Sequence, residues 1–338
     1  MKAIPRKWRE KLVAGLRRRV AAREQLEELR YSIQHMLPLP LQEADALARA
    51  GAAQHARLEQ LVSAGEPDRA LAAFRRLPLP LALAQVGQAL EPHAGASYLL
   101  ALPLTTASVA LLAHLVADAR RQFRIVDTPY TRFFFHPFLT GEPRARVRLL
   151  SSAQMLAHHR EQAAAPAAAP VTYVTFPDHQ TSRSETMWRV PFLGEDYEFS
   201  TLEPLLYYRG LRPLFTFDAS EFAATGRFTL QARNEAAAAR PVAEADVRAL
   251  LVWLAAQVEA VFRARPADVL AWSETQMRAA RMKARVAVVK LKLTEGYVRA
   301  WHAADPTFKA ETYARSIAEL RKLQEAANAP EKARAAAR

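Results

Sequence analysis

The chain has 338 residues, 51% of them hydrophobic, a formal net charge of +13 and no cysteine. That length supports one large core with appendages, while the absent cysteines exclude disulfides, thiolate metal sites and a cysteine nucleophile. No Gly-rich phosphate loop, metal-ligand cluster or serine-centred elbow occurs, which leaves nucleotide-driven and serine-hydrolase chemistry without a basis in the sequence.

The charge is uneven. Residues 1–23 carry nine Lys and Arg against the single Glu10, a net +8. Trp8, Leu12, Leu16 and Val20 recur every fourth residue there, so a helix would present one apolar stripe flanked by basic groups. Two readings stand: a helix lying on an anionic membrane surface, or a solvated helix packing its stripe on the domain. Nucleic-acid binding is not expected, because no zinc finger, basic zipper or aromatic basic sheet accompanies the charge. No secretory h-region is visible, and a cytoplasmic location follows as an expectation.

From Arg23 to Arg75 the pattern is helical, with Leu26, Leu29, Ile33, Leu47, Leu58 and Leu61 at helical spacing. Leu37-Pro38-Leu39-Pro40 and Leu77-Pro78-Leu79-Pro80 interrupt it as turns, since proline stops a helix and extends the residue before it. Tyr98 to Ala117 has no formal charge over about the length of a membrane span. Pro103, His114 and the polar Thr105-Thr106-Ala107-Ser108 turn argue instead for a buried strand, a turn and a buried helix. Phe133 to Phe135 reads as the end of an apolar strand, leaving His136 on a loop. Gly141 to Arg148 reads as a strand whose alternation puts Arg144, Arg146 and Arg148 on one side, an arrangement suited to phosphate or carboxylate recognition or to a solvated basic edge. Glu161 to Pro170 is a low-complexity connector.

The stretch from Val171 to Asp218 has the grammar of a layered α/β fold. A buried strand ends at Pro177-Asp178-His179-Gln180, a polar loop follows, and Val190-Pro191-Phe192-Leu193-Gly194 makes an apolar turn. A helix through Leu202, Leu205 and Leu206 ends at Arg209-Gly210, and a strand runs from Pro213 to Phe217. The clearest helix lies between Pro241 and Pro266, with Asp246 as its expected N-cap. Residues 278–322 read as basic and helical, and the last fifteen or so as a frayed tail.

Asp178 and Gln180 with His179 between them, then Val190, Pro191, Phe192 and Gly194, and finally Arg263 to Trp272 with Pro266, together resemble the bacterial lipid A biosynthesis acyltransferases, a branch of the lysophospholipid acyltransferase-like superfamily. The resemblance runs from about Ser97 to Met277. It implies an α/β fold with a central mixed sheet flanked by helices and helical extensions at both termini. The regions are 1–90, basic and helical; 91–277, the acyltransferase-like domain; and 278–338, a basic helical extension.

The family places a histidine, four intervening residues and an acid after the first strand; here those positions are Leu104 and Val109, neither of which moves a proton. The expected function is therefore either acyl transfer with a rearranged site or a catalytically silent homologue that binds an acyl chain or an acyl carrier protein. His179 with Asp178 is the candidate relocated base, and His136 a second candidate. His114 with Asp118, four apart on a helix, reads as a surface pair, and His158-His159 as a weak metal signal. Thr105, Thr106, Arg144, Arg146, Arg148, Arg183 and Arg189 are the candidate substrate-binding residues. No metal and no bound cofactor are expected; an acyl-carrier-protein or coenzyme A thioester would be the co-substrate, and residues 1–23 would hold the protein peripherally at the cytoplasmic face of the inner membrane.

Overall fold

A computed structural model describes residues 36–164, 169–178, 187–235 and 242–270, with isolated positions within 26–34, at 272 and within 317–321. The basic segment 1–23, the loop carrying His179, Gln180 and Arg183, and most of the chain after 272 lie outside the described residues. The chain divides into two compact units, residues 53–271 and residues 1–52 with 272–338. The first unit carries the sheet.

The protein is α/β, and the helices are α1 (Leu41–Ser63), α2 (Pro67–Phe74), α3 (Leu83–Leu90), α4 (Thr106–Leu115), α5 (Pro129–Phe134), α6 (His136–Thr140), α7 (Ser152–Ala164), α8 (Leu202–Tyr208), α9 (Phe222–Thr225) and α10 (Glu244–Ala264). The strands are β1 (Tyr98–Ala101), β2 (Gln122–Val126), β3 (Val147–Leu150), β4 (Val171–Thr175), β5 (Met187–Phe192), β6 (Glu195–Ser200), β7 (Leu214–Asp218) and β8 (Thr229–Arg233). Six strands form one mixed sheet in the order β3-β2-β4-β1-β7-β8. All neighbours are parallel except β8, which runs antiparallel to β7. β5 and β6 form a separate antiparallel hairpin.

The central strands are apolar because both faces are covered. Every residue of β1 and β4 is buried. Register places Tyr98, Leu100, Phe123, Thr172, Val174 and Phe215 on one face, and Leu99, Ala101, Arg124, Tyr173, Thr175 and Leu214 on the other. The first face receives the His93 ring against Phe215, and Tyr98 and Phe123 share a cleft with α3 and the end of α4. On the second, α7 brings His158 to the Tyr173 hydroxyl. From β1 the chain passes over β4 to β2, while from β4 it passes over β1, by way of the β5–β6 hairpin and α8, to β7. The C-terminal ends of β1 and β4 therefore lie side by side at the reversal of strand order, the place where open α/β sheets offer a crevice.

Several local expectations hold: the strand, turn and helix over 98–117, the strand at 171–175, the helix closed by Gly210 (φ 98°) and the strand after Pro213. No helix among the described residues is long and apolar enough to cross a membrane. Others change. Phe133 and Phe134 lie in helix α5, because Thr128 caps it through the Thr131 N–H and Pro129 fits the first turn. Val190 to Gly194 is the end of a strand and a hairpin turn, with Leu193 and Gly194 both at positive φ (51° and 81°). Arg144 sits in a 3₁₀ turn over Glu142–Ala145, Arg146 follows it, and only Arg148 is on β3. Asp246 is not the N-cap of α10; its carboxylate accepts from the Ala243 N–H at 2.8 Å, from inside the first turn. Glu161 belongs to α7 rather than to a connector.

Candidate functional site

The candidate site is built on the loops leaving β1 and β4. After Ala101 the chain turns through Leu102, Pro103 and Leu104, all buried, to Thr105. Thr105 caps α4 by accepting from the Ser108 N–H at 3.2 Å, and the Ser108 hydroxyl donates to the Pro103 carbonyl at 2.6 Å. This local closure explains why the polar turn sits inside an apolar run: its hydroxyls satisfy the helix start and the loop backbone.

Beside it, the chain leaves β4 through Phe176 and Pro177 to Asp178, which is fully buried. The Leu104 N–H donates to both carboxylate oxygens of Asp178, each at 3.0 Å. The Tyr197 hydroxyl of β6 donates to the Asp178 carbonyl at 3.3 Å. From the far side, the Leu270 N–H donates to the Leu104 carbonyl at 2.9 Å, and Thr105 forms an antiparallel bridge with Val269. The segment after α10 thus closes this end of the sheet through one bridge and one backbone hydrogen bond. Leu104 and Val109 are each 0% exposed.

Thr106, on the open side of the turn, lines a small hollow of about 80 Å³ together with Gln54, Arg57, Leu58, Leu77, Pro78, Arg265 and Asp268. Its hydroxyl reaches Gln54 Oε1 at 3.5 Å. Arg265 and Asp268 form an ion pair across three residues. This hollow has room for little more than a few waters. The Thr175 hydroxyl on β4 and the Thr216 hydroxyl on β7 are buried near the same sheet end with no hydrogen-bond partner among the described residues.

Other residues singled out in the sequence are dispersed. His136 is exposed at the start of α6. Arg146 donates to the Val116 and Asp118 carbonyls at 2.9 and 2.7 Å, at the opposite end of α4 from Thr105. Arg144 and Arg148 are exposed. Arg189 is exposed on β5 and pairs with Glu198 across the hairpin at 3.5 Å. His114 and Asp118 do not pair: α4 ends at Leu115, His114 bonds the Arg75 carbonyl through Nε2 at 3.1 Å, and Asp118 is taken by Arg120. The Arg120 guanidinium, hydrogen-bonded to it, holds the Asp118 carboxyl below its usual range.

A polar chain missed by sequence reasoning lies under the second face of the sheet. Arg124 Nε donates to His158 Nε2 at 3.2 Å, and His158 Nδ1 meets the Tyr173 hydroxyl at 2.8 Å. Because Nε2 accepts, the ring proton is on Nδ1 and is donated to Tyr173. Burial, with the Arg124 charge second, lowers the His158 pKa. Burial pushes the Tyr173 hydroxyl up to about 12. The arrangement holds His158 neutral and ties β2 and β4 to α7. His159 bonds the Arg209 carbonyl at 3.1 Å. Among the described residues no three His, Asp or Glu side chains converge to hold a metal ion.

In comparison with models of known protein families the chain matches none, and no curated protein matches it.

Proposed function

We propose that the protein is a catalytically silent homologue of the lipid A biosynthesis acyltransferases, a module that binds an acyl chain or its carrier protein on a lysophospholipid acyltransferase-like scaffold. The observation that carries this reading is the state of the β1 edge. Where the resemblance calls for a proton-moving pair stand Leu104 and Val109, both sealed from solvent. Asp178, the acid nearest that position, spends its carboxylate on the Leu104 N–H. A group buried and bonded in this way holds two loops together and is not poised to activate an acceptor hydroxyl. The basic segment 1–23 suits an acidic carrier surface or an anionic membrane face.

The test is incubation of the purified protein with acyl-carrier thioesters and crude membrane lipid, followed by mass spectrometry of small molecules and carrier adducts. The expected result is an acyl chain or carrier retained by the folded protein without turnover. Product that forms with the native chain and falls at least about a hundredfold in His179→Ala would overturn the reading in favour of an acyltransferase with a relocated base.

A further inference from the structure

We draw no further inference here: the strongest candidate, the outer edge of β8, where the Phe228 N–H donates to the Pro80 carbonyl at 2.6 Å and an open groove lies beside Gln231, Arg233 and Trp253, carries nothing because nothing in the structure shows what covers it.

Discussion

Asp178 accepts the Leu104 N–H with both carboxylate oxygens across 74 residues of sequence. This contact joins the loop after β1 to the loop after β4 at the reversal of strand order. Leu104 is then held from the other side by Leu270, so one residue receives the two chain segments that close the sheet edge. An edge that could have been a crevice is a joint.

Asp178→Asn keeps the shape but removes the charge that strengthens the bond to Leu104. Hydrogen bonds to charged groups contribute about 1.5–3 kcal/mol, so the variant should lose about 2 kcal/mol of stability. Urea unfolding checks this. A midpoint equal to that of the native chain would mean that the joint is not held by the carboxylate.

Introducing histidine at the family's position is a sharper test of the sealed edge. Leu104→His places an imidazole with polar nitrogens in a fully buried apolar site. Loss of the leucine packing and burial of an unpaired polar ring together should cost about 2–5 kcal/mol. An active-site edge open to solvent would tolerate the change, and unfolding curves of the two proteins distinguish the cases.

Much of the sheet was legible because its buried strands are short apolar runs with clear stops, as at Tyr98 to Ala101 and Val171 to Thr175. β2 escaped notice because Arg124 stands in its middle. The charge is tolerated there because its guanidinium meets the Phe123 carbonyl and His158, which no local pattern announces. β6, reading Glu-Asp-Tyr-Glu-Phe-Ser, looks polar, since in a hairpin its large inward residues, Tyr197 and Phe199, alternate with acids. Asp178 was recognisable as a residue of interest from its place at a strand end. Its partner was not, because a bond across 74 residues leaves no mark on sequence spacing.

Thr216 offers a gain in stability. Its hydroxyl is fully buried on β7 without a partner among the described residues. Valine has nearly the same shape and no polar atom to desolvate, so Thr216→Val should raise stability by about 1 kcal/mol. A decrease in the urea midpoint would show that the hydroxyl is satisfied.

Acid sensitivity should be set partly by His158. Burial, then the Arg124 charge, lowers its pKa below the ordinary 6.5, with Glu161 opposing and Arg148 and His159 adding to the effect. His55 is lowered by burial as well, against the pull of Glu59. In both cases the unfolded chain takes up a proton before the folded one does. Their contribution to stability is therefore complete above pH 6.5 and is lost as pH falls from 6.5 through the depressed folded values. Carboxylates titrate mostly below this window. Urea midpoints measured between pH 7.5 and 5.5 should fall for the native chain. In His158→Gln the fall should be smaller, because one of the groups that drive it is gone, whatever the variant's absolute stability. An identical slope in both proteins would show that protonation of His158 does not oppose the fold.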